Sequence, residues 1–358
     1  MDNQKILVLR LSAVGDVIRT LPAVKAIKKN FPSASITWIV EETSKALVES
    51  QPEVEEVILF PRQRWSEGIR ALKGWRTIGE VRTFIQSLRR KKFDLVLDFH
   101  GILKSGLLSF LSGSPQRIGY DRRSSKEGNF LFSNKKVKLP KERISRFERN
   151  FYLLKGMGLE VQPEDYPLFI PAEDRGYVNS FFNQLFPPLK SPSIAIHPGT
   201  SPKTLYKRWL PDKYAQLADQ LVHELKATVL FTWGPGELEW VKMIQRRMKE
   251  SSVLGPHTIS LTQLGEVYRR CDLYIGGDTG PMHVASLMGI PVVVIYGPTD
   301  PVINGPFGPH KKVIKNVGCN PCRDRSCKEL KCLKEIAVDD VFKATREVLA
   351  EKRGQATF

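Results

Sequence analysis

Nowhere do about twenty uncharged apolar residues run together in this 358-residue chain, so no membrane-spanning helix is read from it. Charge appears within the first five positions, which speaks against a secretory signal peptide and leads us to expect a cytoplasmic protein. The G-x-G-x-x-G and G-x-x-x-x-G-K-[ST] fingerprints are both missing, which removes support for a nicotinamide-linked enzyme and for a P-loop NTPase. There is no basic recognition helix and no set of aromatic platforms, so nucleic acid is not the expected partner. No short-period repeat and no low-complexity tract is found. Cysteine is scarce, at five residues. Cys271 stands alone and is expected in a core. The others form C-x2-C-x4-C-x4-C (Cys319, Cys322, Cys327, Cys332) with no histidine among them. That spacing leaves three states open: a structural metal, reduced thiols that shape a loop, or disulfides.

What the chain has in excess is positive charge. Lys and Arg number 55 against 38 acidic residues, a net of +17. The first 170 residues carry 30 basic and 19 acidic residues, and residues 62–92 hold ten basic residues against Glu67 and Glu80. Such a field favours an anionic partner, whether a phosphorylated substrate, a membrane surface or, as the weaker alternative, nucleic acid, unless it is only a solvated face. The length suits two domains. Apolar runs at 5–11, 35–42, 54–60 and 93–101 alternate with helical spacing, notably over 17–31. A Pro-rich polar stretch at 161–171 marks the expected boundary. A second alternating series follows, with strand-to-loop units at 192–201, 227–237, 272–286 and 291–301, a short strand at 257–261, and helices at 211–225, 238–249, 262–271 and 340–352. The expectation is an α/β protein with two Rossmann-like, doubly wound parallel-sheet domains, 1–170 and 171–339, facing a central cleft.

Ligands of open parallel sheets bind beyond the carboxyl ends of the strands. Five loops there have unusual composition: SAVGD, HPGTS, TWGPGE, GGDTGP and YGPTDP. A helix start after GGDTG, with Pro281 in its first turn, offers free N–H groups to a diphosphate. His283 lies in that turn, and Lys207 and Arg208, in YKRWLP just before a helix, could neutralise phosphate. Glu237 reads either as a ribose-hydroxyl acceptor or as a helix cap. Asp16 reads either as an N-cap or as a general base facing the phosphate cradle.

KILVLRLSAVGDVIRTLPAVKAIK, DFHGILKSG, IHPGTS, KRWLP, GGDTGPMHVAS and YGPTDP, in that order, resemble the ADP-heptose:lipopolysaccharide heptosyltransferases, glycosyltransferase family nine. WIVEE and PRQRW look nearest to the branch that adds the first heptose. The resemblance implies a GT-B architecture, with the closing helix (340–358) returning to the first domain. It also implies inverting transfer of heptose from ADP-L-glycero-D-manno-heptose to the Kdo region of the lipopolysaccharide inner core, with no catalytic metal or other cofactor. The roles it implies are a catalytic base at Asp16 and donor contacts at Thr200, Lys207, Glu237, Asp278, Thr279, Gly280, His283 and Thr299. Arg62, Arg64, Lys104 and Arg122 are candidates for the acceptor. His100 and Arg19 depart from the family habit of Gln and His at these places, so the acceptor is less defined than the donor. A later core heptose acceptor or another nucleotide sugar is the alternative. An acceptor that is an anionic lipid implies peripheral attachment to the cytoplasmic face of the inner membrane, with Trp65 and Trp75 as candidate anchors.

Overall fold

The computed structural model describes residues 3–71, 74–140, 143–159, 161, 167–185, 188–322 and 324–355. Positions 162–166 of the expected boundary segment and 356–358 of the closing helix lie outside the described residues. The chain divides into two compact units, Met1–Tyr166 and Pro167–Phe358.

The first unit has strands β1 (Lys5–Leu9), β2 (Ser35–Val40), β3 (Glu56–Leu59), β4 (Leu95–Asp98), β5 (Gln116–Tyr120) and β6 (Lys135–Val137). The second has β7 (Ser193–His197), β8 (Thr228–Phe231), β9 (Val253–Leu254), β10 (Leu273–Gly277), β11 (Val292–Tyr296) and β12 (His310–Ile314). The central strands are Val-, Ile- and Leu-rich and buried along nearly their whole length, as parallel strands covered on both faces must be. Both sheets are wholly parallel, ordered β3-β2-β1-β4-β5-β6 and β12-β11-β10-β7-β8-β9. Each unit thus repeats one doubly wound order, whose direction reverses between β1 and β4 in the first and between β7 and β10 in the second. Loops leaving those strands diverge and open a crevice within each sheet.

Three expectations need correction. The helix expected over 17–31 is two, Val14–Ile18 and Leu21–Asn30. Pro22 has no N–H and its ring would strike the carbonyl of the preceding turn, so it falls in the first turn of a new helix instead. The strand expected at 257–261 is a loop. Ser260 is the cap of the helix Leu261–Arg269, its Oγ accepting from the Gln263 N–H at 3.0 Å, and the strand lies earlier, at Val253–Leu254. The closing helix Val338–Gln355 packs on the second unit, where Val341, Phe342 and Val348 join a core with Leu217, Leu221 and Ile194. Its apolar stripe is taken up by that sheet and by the helix Pro211–Leu225. No described helix is long and apolar enough to cross a membrane.

Candidate active site

At the switch point of the first unit the chain leaves β1 through Arg10 and Leu11 and turns into the helix Val14–Ile18, with Asp16 on its first turn. The N-cap of this helix is Ala13, so Asp16 is not the cap. Its carboxylate instead pairs with three guanidiniums: Arg10 from the end of β1, Arg19 at 2.6 Å from the same turn, and Arg146 from the helix Arg146–Leu154. Burial by itself would raise the proton affinity of this carboxyl. The charges of Arg10, Arg19 and Arg146 outweigh it and hold the group well below the usual carboxylate range. Arg10 also donates to the Phe99 carbonyl at 2.9 Å, which ties the β1 loop to the β4 loop.

The β4 loop is organised by Asp98, wholly buried at the strand end. It accepts from the His100 and Gly101 N–H groups, both at 3.0 Å, from Ser105 Oγ at 2.9 Å and from Asn129 Nδ2 at 2.6 Å. Burial still raises its pKa against those bonds. The turn so formed presents His100, whose Nδ1 accepts from the Leu11 N–H at 3.3 Å. Burial, and then the charge of Arg10, push His100 down to about 3, so its ring is neutral near pH 7.

Among the acceptor candidates, Arg62 and Lys104 meet at one carboxylate, Glu41, at 3.4 and 3.9 Å. Arg64 turns away to Glu80 at 2.6 Å, and Arg122 lies 5.9 Å from the Phe130 ring centre. Of the two candidate anchors, Trp65 is half-buried. It packs edge-on against Phe60 and Phe84 at the margin of the core, whereas Trp75 is 89% exposed.

In the second unit the loops after β7, β8, β10 and β11 carry the donor candidates. Lys207 ends the short helix Pro202–Lys207, and its ammonium donates to both the Asp278 carbonyl and its carboxylate at 3.1 Å. Thr279 is the N-cap of the helix Gly280–Leu287, with Pro281 in the first turn. His283 is buried in this helix, its Nε2 3.9 Å from Asp278 Oδ1. Glu237 stands at the N-cap of the helix Leu238–Gln245, but its side chain makes no cap bond. Its carboxylate folds back to accept from the Gly234 N–H at 2.8 Å and lies 3.3 Å from His197 Nε2. Burial would raise its pKa, but the bond and charge of His197, the Gly234 N–H and Arg208 together bring it below the ordinary value. Gly199 explains its own identity here, since a Cβ would stand 2.2 Å from the Glu237 carboxylate. Thr200 Oγ1 accepts from Arg208 Nε at 3.1 Å, and the Arg208 guanidinium lies 4.9 Å from the Trp240 ring centre. Thr299 is buried in the loop after β11.

The cysteine loop backs onto that last loop, with Asn320 Nδ2 donating to the Gly297 carbonyl at 3.4 Å. All four cysteines are free thiols, Cys319 and Cys322 exposed and Cys332 buried. Burial, and then the nearness of the other three, push the Cys332 thiol up. Among the described residues no three His, Cys, Asp or Glu side chains converge on a metal-binding point. Cys271 is a core residue, its thiol pushed up to about 12 by burial.

Sequence reasoning missed Arg10, Arg146 and Asp98. Arg10 and Asp98 share a signal, a charged residue at the end of an apolar strand run. Arg146 had none, because it lies 130 residues from Asp16.

Two six-stranded, doubly wound units with loop-borne polar groups at both switch points are the architecture of the GT-B glycosyltransferases. The family model of glycosyltransferase family 9 (heptosyltransferase) matches residues 81–333, and the chain belongs to that family. It is 28% identical to lipopolysaccharide heptosyltransferase 1 of Pseudomonas aeruginosa, over 90% of this chain and 87% of that one. It is 29% identical to lipopolysaccharide heptosyltransferase 2 of Escherichia coli, over 87% and 88%. Among solved structures, E. coli heptosyltransferase WaaC with ADP-2-deoxy-2-fluoro heptose superposes with a TM-score of 0.71 at 23% identity, covering 96% of this chain and 99% of that one.

Proposed function

We propose that this heptosyltransferase moves heptose from ADP-heptose to the Kdo-containing inner core of lipopolysaccharide, with inversion and without a catalytic metal. The observation that carries the reading is the cluster at Asp16. Three guanidiniums on one carboxylate leave the site net positive, which suits an acceptor bearing carboxylate and phosphate groups. On the donor side, the helix start at Thr279 and Gly280, Lys207, and the loop carrying Thr299 receive the diphosphate. Glu237 accepts from the ribose hydroxyls, and Thr200, Asp278 and His283 shape the pocket. A relative bound to an ADP-heptose analogue, and relatives named for lipopolysaccharide, support this choice.

In the proposed reaction Asp16 takes the proton of an acceptor hydroxyl while that oxygen bonds to the anomeric carbon. The bond from that carbon to the diphosphate oxygen breaks on the opposite face, and ADP leaves with the electron pair. Lys207 and the helix N–H groups stabilise the charge that grows on it. A carboxylate held as low as Asp16 is a weak base. Anionic groups of the acceptor would compete for Arg146, whose side chain is 35% exposed, and release of that partner restores basicity where the hydroxyl lies. Arg62 and Lys104 are the other acceptor contacts proposed, with Arg64 and Arg122 needing to turn from their present partners.

The test is calorimetric titration with ADP, ADP-heptose and UDP-glucose, followed by transfer to a Kdo-bearing acceptor. Preference for the ADP-sugar and transfer that yields the inverted anomer support the reading. Preference for UDP-glucose overturns the heptose donor. A second reading, transfer of a later core heptose, is favoured by the near-equal identity to a heptosyltransferase 1 and a heptosyltransferase 2. An acceptor already carrying one heptose distinguishes the two.

A further inference from the structure

The helix Leu103–Leu111 is built inside out. Its buried side carries Ser105, Gly106, Leu108 and Ser109, while Leu103, Leu107, Phe110 and Leu111 are exposed. On the inward side Ser105 donates to Asp98, and Gly106 leaves room for Phe132 and Asn129. Among the described residues of this unit, nothing accounts for the outward leucines. They recur at i, i+4, i+7 and i+8, which is one stripe of a helix. The turn Asn129–Phe132 packs beside the helix and adds Leu131, 70% exposed. Scattered exposed apolar residues are ordinary, but five on adjoining elements form a patch, and a patch of this kind marks a binding surface.

The rim of the patch tells what would cover it. Residues 103–136 hold seven basic side chains against Asp121 and Glu127. Arg117 lies 5.6 Å from the Phe110 ring centre, and Lys136 lies 5.6 Å from that of Phe130. Cations that ring an apolar stripe and lie along aromatic faces are the arrangement of a surface that seats in a lipid interface, with acyl chains under the stripe and anionic headgroups at the rim. The same helix begins at the acceptor candidates, since Lys104 follows Leu103 and shares Glu41 with Arg62. We propose that the face formed by Leu103, Leu107, Phe110, Leu111 and Leu131 docks this enzyme on an anionic bilayer, with the acceptor-side cations at the membrane surface. The inference deepens the reading of a lipid-borne acceptor and rests on it, and it adds a face the sequence did not reveal.

The experiment is co-sedimentation, without substrates, with vesicles of phosphatidylethanolamine and phosphatidylglycerol, and with vesicles of phosphatidylcholine alone. The native chain is expected to bind the first in a salt-sensitive way and the second weakly. The triple variant Leu107→Ser, Phe110→Ser, Leu131→Ser should lose at least about tenfold in partitioning while keeping its melting temperature and its transfer to a deacylated, soluble acceptor. Unchanged vesicle binding in that folded variant overturns the proposal. So does a native dimer that the variant turns into a monomer, which would make the face a contact between two copies. Should the triple variant fail to fold, Leu131→Trp with bromolipid vesicles decides: added quenching relative to the native chain supports insertion, and none overturns it. Vesicle binding is read without donor or acceptor, so its failure leaves the transfer reading standing, and failure of transfer to the soluble acceptor leaves the docking result standing.

Discussion

Asp16 illustrates how far a single residue's chemistry depends on its neighbours. Asp16→Asn removes the only carboxylate that the three guanidiniums are described as sharing, so it should abolish transfer by about 10²–10⁴-fold while ADP affinity stays near native. Single-turnover rates and calorimetry check this, and a variant that keeps its rate sinks the base assignment. Arg146→Met should raise the acceptor KM by about tenfold or more and bring the onset of acid loss of activity toward neutral pH, because one of the charges holding the carboxyl down is gone. His100 behaves differently. Its pKa falls on folding to about 3 from 6.5, so between those values the unfolded chain binds more protons. Stability is therefore lost as pH falls from about 6.5 toward about 3. The melting temperature should drop between pH 7 and 5, and less so in His100→Gln, which keeps an acceptor for the Leu11 N–H.

Among elements, the helix starts and strand-end loops carry the polar work. Lys207→Ala removes two bonds to Asp278 and the positive charge beside the helix Gly280–Leu287. It should weaken ADP binding by about 10–100-fold, since charged hydrogen bonds are worth about 1.5–3 kcal/mol, and it should also lower the melting temperature, because the bonds to buried Asp278 go with it. The helix Leu103–Leu111 answers to packing instead. A Cβ at Gly106 would stand 2.7 Å from the Phe132 ring and 2.9 Å from Asn129 Nδ2, so Gly106→Ala should destabilise the first unit by about 1–3 kcal/mol, read by denaturant unfolding. Elements with a strong period, such as β1, β10 and the helix Pro211–Leu225, were legible in the sequence because one pattern of burial dictates them. The short strands β6, β9 and β12 were not, because too few residues carry a period and pairing with a neighbour makes them strands.

For the whole molecule, the repeated strand order explains why the chemistry gathers where it does. Each sheet reverses its winding once, and the loops flanking that reversal hold Asp16 and His100 in one unit, and Gly199, Thr200 and Asp278 in the other. Ligand that binds the folded chain alone should stabilise it by mass action. ADP-heptose at about a hundred times its Kd is expected to add about 2.7 kcal/mol, and an equal concentration of UDP-glucose much less. Thermal shifts measured side by side test this, and equal shifts would remove the donor preference.

The sequence by itself determined the class: alternating strand and helix periods, glycine- and proline-rich loops at strand ends, an excess of positive charge, and the motif order of a heptosyltransferase. These are local or additive properties, so each can be read along the chain. Only the tertiary structure decided which arginines meet Asp16, that Glu237 folds back on Gly234, that the closing helix rests on the second unit, and that a leucine stripe is left outside. Those outcomes depend on residues brought together across tens to more than a hundred positions, and on which face of a helix finds a neighbour. No periodicity encodes that, because it is settled by packing.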